Sequence, residues 1–255
     1  PALWADAALA GLLTHNDRAS NACCVAFTNL LWQCLLLKDI PAPHWWIDTF
    51  VSVAREVEGP TDYATRTPAS SYTGPLWKFV DQEVRAALRQ GSSTLEACNR
   101  WYSGAYLLET MPSVLYILAK YGHQPEEAIV RAVNDTKDND TVAAIVGAAV
   151  GAMHGRTGLP ERWVSGLLGR TGADNDWHIF ELIEEAKQHF WKSDPPLSQV
   201  NILAVLEFLP IFEQSNFSAG EWKSEEGVFP HYNYSEIVLR FEQVLYNNEF
   251  IQPFN

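Results

Sequence analysis

Apolar residues recur at helical spacing along almost the whole chain, and this regularity decides most of what the chain can fold into. The series opens with Trp4, Ala8, Leu9 and Leu12, continues through Val25, Leu30, Leu31, Cys34 and Leu35, and returns late in Ile237, Val238, Phe241, Val244 and Leu245. Residues three and four apart share one face of a helix, so each series predicts an amphipathic helix. Period-two alternation bounded by turn residues is nearly absent, and no Gly-rich strand-to-helix turn suggests a nucleotide-binding parallel sheet. The chain reads as all-α. With 255 residues, 47% of them hydrophobic, it can bury a full core, and a single domain over 1–255 accounts for it.

Breakers divide the helical pattern. Pro41 and Pro43 precede a helix over 44–58, a polar stretch containing Gly and Pro covers 59–75, an amphipathic run covers 76–88, and a loop falls at 90–93. Pro112, Pro125 and Pro160 each read as first-turn prolines, where the missing N–H costs nothing; Glu126, Glu127 and Glu161 follow at positions the helix dipole favours. Further helical patterns cover 177–191, 197–209 and 235–246, and residues 216–234 read as a loop.

Charge narrows the function classes. With 31 Asp+Glu against 18 Lys+Arg the formal net charge is −13, which argues against attraction to a nucleic-acid backbone or an anionic membrane surface. A phosphate-bearing ligand would need local help against that field. The charge-free apolar run over 142–153 is too short to span a bilayer. No signal peptide precedes Pro1, which is not an initiator Met, so the expectation is a chain processed, trimmed or cut out of something longer. Cys23, Cys24, Cys34 and Cys98 form no Cys-x-x-Cys pair, and adjacent Cys23 and Cys24 point in different directions on a helix. Reduced thiols and a cytoplasmic setting are the expectation.

Three segments could carry chemistry. In Asn134-Asp135-Thr136-Lys137-Asp138-Asn139-Asp140-Thr141 a polar loop opens onto an Ala/Gly-rich helix over 142–155. Asp138 and Asp140 can aim two carboxylates at one point and the Thr141 hydroxyl can join them, a donor set that suits a hard cation such as Mg²⁺. Asp, Asn and Thr are equally the usual helix N-caps, so both readings stay open; an EF-hand is excluded because the loop lacks the central Gly and terminal Glu. Gly147, Gly151 and Gly155, four apart, predict close packing of a neighbouring helix. Leu13-Thr14-His15-Asn16-Asp17 reads as a helix end followed by an Asn16 or Asp17 N-cap, and Ser103-Gly104-Ala105-Tyr106 as a connection leading to Glu109-Thr110-Met111-Pro112.

Together, and in this order, these segments resemble the ADP-ribosylglycohydrolase family, the relatives of the dinitrogenase-reductase-activating glycohydrolase. Lys137-Asp138-Asn139-Asp140-Thr141, then Gly147 to Gly155, then Pro160-Glu161-Arg162-Trp163 looks like the family's Gly-Gly-Asp-Thr-Asp-Thr loop, Ala/Gly helix and Pro-x-x-Trp. Lys137 and Asn139 depart from that loop but leave both aspartates and the threonine in register. Glu109 to Tyr116 looks like its Glu-Ser-x-Pro-x-x-Leu-Tyr start, and Leu13-Thr14-His15 like its Leu-Thr-His. The motifs are tight over 102–163 and looser over 4–37; the division this suggests is a family core over 1–170 and a divergent helical extension over 171–255.

The resemblance implies a single orthogonal multi-helix domain whose cleft holds two divalent cations, Mg²⁺ or Mn²⁺, against the distal ribose of an ADP-ribosyl group. Asp138, Asp140 and Thr141 would be metal ligands, His15 would contact the ADP-ribose, and Gly104 and Ala105 would line the nucleotide. The implied reaction is hydrolysis of the glycosidic bond, releasing ADP-ribose from a modified protein or small molecule. The family's Thr-Asp-Asp-Thr motif and an acidic residue that assists catalysis have no match before Thr14, and Thr61-Asp62-Tyr63 is no relocated copy. The chain therefore reads as a C-terminal portion, with the catalytic acid outside it. A non-catalytic ADP-ribose-binding or structural protein of the same fold is the alternative. Trp101-Tyr102, beside Gly104, is the better aromatic pair for stacking an adenine than Trp45-Trp46; the remaining histidines show no zinc spacing.

Overall fold

The computed structural model describes residues 2–67, 71–167 and 177–190. Helices predicted over 197–209 and 235–246, and the loop between them, lie outside the described residues. Ten α-helices follow one another among those described: α1 (Ala2–Leu12), α2 (Arg18–Leu36), α3 (Pro43–Glu58), α4 (Leu76–Gln90), α5 (Thr94–Trp101), α6 (Leu107–Tyr121), α7 (Pro125–Asp135), α8 (Asn139–His154), α9 (Glu161–Val164) and α10 (His178–Phe190). The fold is all-α, of the kind the resemblance implies. Its one departure among the described residues is a two-strand ladder in the stretch after α3, where β1 (Tyr63–Ala64) runs antiparallel to β2 (Thr73–Gly74) with Tyr63 opposite Gly74.

The core is organised around α6. Every residue from Leu108 to Ala119 is buried, which is what a helix apolar on all sides requires, and α3, α4, α5, α7 and α8 all pack against it. Trp46, Phe50 and Val57 of α3 and Phe79, Val80 and Val84 of α4 are buried in this core at helical spacing. Trp101 is 1% exposed and meets Tyr116 of α6 edge-on at 5.7 Å. Trp101 is thus a core residue, and of the Trp101-Tyr102 pair only Tyr102, 49% exposed, reaches the surface.

Two local expectations are corrected. Pro112 does not open a helix: α6 starts at Leu107, five residues earlier. A compact turn supplies the start, because the Tyr106 carbonyl accepts the N–H groups of Glu109 and Thr110 at 2.7 and 2.8 Å, and Pro112 then forfeits a single bond to the turn before it. The glycine stripe on α8 does not serve close helix packing among the described residues, since a Cβ at Gly147, Gly151 or Gly155 would meet nothing within 4 Å. The face of α8 that packs inward is Val142, Val146, Ala149 and Val150. Helix α2, at 19 residues, is long and apolar enough by length and composition to cross a membrane. It serves here as a core helix, burying Ala22, Val25, Ala26 and Leu30 against its neighbours.

The cysteines are unpaired, with Cys23 buried and its neighbour Cys24 exposed, as different directions on α2 require. Burial pushes the thiols of Cys23, Cys34 and Cys98 up. These three are packed as small hydrophobes rather than poised to react.

Glu58, fully buried, ends α3 and caps α4. Its carboxylate accepts the N–H groups of Leu76 at 2.7 Å and Trp77 at 3.0 Å, together with the Thr61 hydroxyl, while the N-cap residue Pro75 offers no side-chain cap of its own. Burial pushes its carboxyl up, and the three donors pull it back down. Glu58→Ala leaves two first-turn donors of α4 unpaired, and we expect it to cost about 2–4 kcal/mol in urea unfolding.

Candidate functional site

The loop between α7 and α8 separates the two readings of its aspartates. Asp138 occupies the N-cap position of α8, yet its side chain accepts no first-turn N–H. Its Oδ2 is buried and has no hydrogen-bond partner. Asp140 behaves differently: its Oδ1 accepts the Thr141 N–H at 2.9 Å, and Asp140 and Thr141 are both exposed. A buried carboxylate oxygen without a donor is costly unless something of opposite charge meets it. The Asp138 and Asp140 carboxylates and the Thr141 hydroxyl are hard oxygen donors, so this set fits Mg²⁺ or Mn²⁺.

The loop is held from the other side by main chain. The carbonyl of Ser103 accepts the N–H of Asp138 at 3.0 Å and that of Lys137 at 3.3 Å, and Ser103 Oγ also accepts from Lys137 N–H at 3.2 Å. Tyr102 and Ser103 make this possible by turning the chain through the left-handed region, with φ of 73° and 48°, a conformation that non-glycine residues adopt at a cost. Gly104 follows. A Cβ there would lie 2.7 Å from Glu109 Oε2 and 3.0 Å from the Tyr102 ring, so a side chain at this position must displace one of them. The hydroxyl of Thr110 fastens the turn by donating to the Gly104 carbonyl at 2.8 Å. Ala105 is exposed beside it.

Glu109 is 3% exposed and takes a two-pronged bond from Arg66, whose Nε and Nη2 donate to its two oxygens at 3.1 Å each. The Arg66 guanidinium also lies over the Tyr106 ring, 4.2 Å from its centre, and the Tyr106 hydroxyl donates to the Ala64 carbonyl at 3.0 Å. Tyr63 stacks on Tyr106 at 5.7 Å and donates its hydroxyl to Asp17 Oδ1 at 2.6 Å. Burial and that bond push the Tyr63 phenol up, which keeps it a donor. Asp17 in turn caps α2 by accepting the Ser20 N–H at 2.8 Å. His15 sits two residues before it in the turn after α1, exposed, with Nδ1 3.1 Å from the Thr14 hydroxyl.

The structure thus joins Gly104 and Ala105 directly to Asp138 through Ser103, and links the His15 segment to them through Asp17, Tyr63 and Tyr106. It does not bring the His15 ring into a hydrogen bond with the aspartate loop. Sequence reasoning missed Arg66, Tyr63 and Ser103 as parts of this arrangement. One signal was available: Glu109 is an isolated acid at the head of an apolar helix, and such a residue needs a partner of opposite charge. An open groove of about 630 Å³ lined by Gln124, Glu126, Leu159 and Arg162 lies at the other end of α8, away from these residues.

The family model described as ADP-ribosylglycohydrolase matches residues 1–194. The chain belongs to the ADP-ribosylglycohydrolase family. Its fold and its general chemistry, a glycohydrolase-type function of the kind that acts on ADP-ribosylated substrates, follow from that membership. The match extends past Trp163, where the quoted motifs end. A second model, described as a family of unknown function (DUF6508), matches residues 197–255. No curated protein and no solved structure matches the chain. In this family member Gly104→Ala must displace either the Glu109 carboxylate or the Tyr102 ring. We expect a loss of about 1–3 kcal/mol in chemical denaturation, with Ala105→Gly, at an exposed position, costing less.

Proposed function

We propose that this protein hydrolyses the glycosidic bond of ADP-ribosyl groups, releasing ADP-ribose from a modified protein or small molecule, with Asp138, Asp140 and Thr141 holding Mg²⁺ or Mn²⁺. The observation that carries the reading is the buried Asp138 Oδ2, a carboxylate oxygen at a helix N-cap that caps nothing. When bound, a divalent cation would lower the pKa of a water and draw electrons from ribose hydroxyls. The chain's own contribution is position. Ser103 holds the backbone of the aspartate loop, Gly104 lets the Glu109 carboxylate and the Tyr102 ring close on the turn, and Ala105 adds a small exposed side chain beside it. Tyr102 offers an exposed ring for stacking, and His15 an imidazole at the far side of the Asp17–Tyr63–Tyr106 link. The general acid is assigned to none of the described carboxylates. Unpaired thiols, with Cys23, Cys34 and Cys98 buried, support a reducing, cytoplasmic setting.

The alternative reading is a member of the fold that binds ADP-ribose without cleaving its linkage. Among the described residues no group of three or more His, Cys, Asp and Glu side chains gathers to hold a metal. The deciding experiment measures ADP-ribose release from ADP-ribosylated arginine and serine peptides, with Mg²⁺, with Mn²⁺ and with EDTA. Release that needs the cation and falls at least ~100-fold in Asp138→Asn, with the circular dichroism spectrum retained, is the expected outcome. Unchanged turnover in Asp138→Asn and Asp140→Asn would remove the metal assignment, and tight ADP-ribose binding without release would establish the second reading.

A further inference from the structure

Most described arginines direct their charge at surface carboxylates: Arg85 at Asp48 and Asp81, Arg131 at Glu127 and Asp135, Arg162 at Glu126. Two other basic side chains, Arg66 and Lys137, converge on Tyr102–Tyr106. The Arg66 side chain is 55% exposed while the carboxylate that orients it is almost fully buried. A guanidinium has five N–H donors, and Glu109 takes one from Nε and one from Nη2, so three remain on a group already fixed by the carboxylate and by the Tyr106 face. Lys137 lays its Nζ 3.6 Å from the centre of the Tyr102 ring. Among the described residues that ammonium makes no ion pair, although Asp138 is its neighbour in sequence.

Gly104 ties the two together. The groups nearest its missing side chain are Glu109 Oε2, which holds Arg66, and the Tyr102 ring, which carries Lys137. We infer that Arg66 and Lys137, each backed by a tyrosine ring, form an anchor at the Gly104–Ala105 turn for the diphosphate of a nucleotide ligand. The inference rests on the ADP-ribosyl reading above and names the residues that recognise the charged middle of that ligand. Two tethered donors separated by a glycine suit two linked phosphates better than a single carboxylate. Holding each long side chain against a ring before the ligand arrives reduces the ordering cost of binding. Glu109 offsets much of the Arg66 charge and Asp138 adjoins Lys137, so the anchor acts through directed, charge-assisted hydrogen bonds rather than through a broad positive field. That is the form of local help a chain with net charge −13 requires.

The test is calorimetric titration of the full chain with ADP-ribose and, separately, with inorganic pyrophosphate, in EDTA so that no cation contributes. Lys137→Gln removes one exposed ammonium, and Arg66→Lys keeps a cation against Glu109 while removing the guanidinium fork. Each is expected to raise the Kd for both ligands about tenfold, and the double variant about a hundredfold, with melting temperatures near that of the parent. Affinities within twofold of the parent in both single variants would overturn the anchor and leave the proposed hydrolysis standing. No ADP-ribose binding by the unsubstituted chain, in EDTA or with Mg²⁺, would overturn both.

Discussion

Burying α6 on every side is the constraint from which the rest of the site follows. A helix so enclosed can carry polar side chains only where each finds a partner, and its N-terminal half carries Glu109, Thr110 and Ser113. Ser113 is satisfied within the helix by donating to the Glu109 carbonyl. Glu109 and Thr110 reach outward, to Arg66 and to the Gly104 carbonyl. Those two bonds fix the stretch after α3 and the turn before α6 in one place. The candidate ligand-binding turn is thus built by the same interactions that let an acid and a hydroxyl enter the core.

The helical architecture was legible because periodicity is strongest where a helix has one wet face, as in α3 and α4, whose predicted limits agree with the observed ones to within a residue or two. The aspartate loop was legible as a motif, and the turn at Gly104 as a connection. What could not be read was contact between segments far apart in the chain. Arg66 and Glu109 are 43 positions apart, and Tyr63 and Asp17 are 46 apart; an isolated acid such as Glu109 signals that a partner is needed, but not which residue supplies it. Pro112 misled because its usual place is a first turn, whereas the Tyr106 carbonyl starts α6 ahead of it. The glycine stripe misled because spacing shows that close approach is permitted, not that a partner takes it up.

Both readings of Asp138 stood open in the sequence, and in the structure its side chain does not cap α8. An N-capping aspartate gives its oxygens to backbone donors, as Asp17 does at α2, and the same residue type at α8 does not. The comparison within one chain is informative because both aspartates stand at the same helical position.

The aspartate loop is fastened through peptide groups, with the Ser103 carbonyl accepting two successive N–H donors. An anchor of that kind is indifferent to the side chains at the positions it grips. The loop can therefore vary in sequence without losing its seat: Lys137 and Asn139, the departures from the family pattern, occupy a backbone whose position they did not have to specify. Side chains at these positions can change while the backbone bonds keep Asp138 in its place.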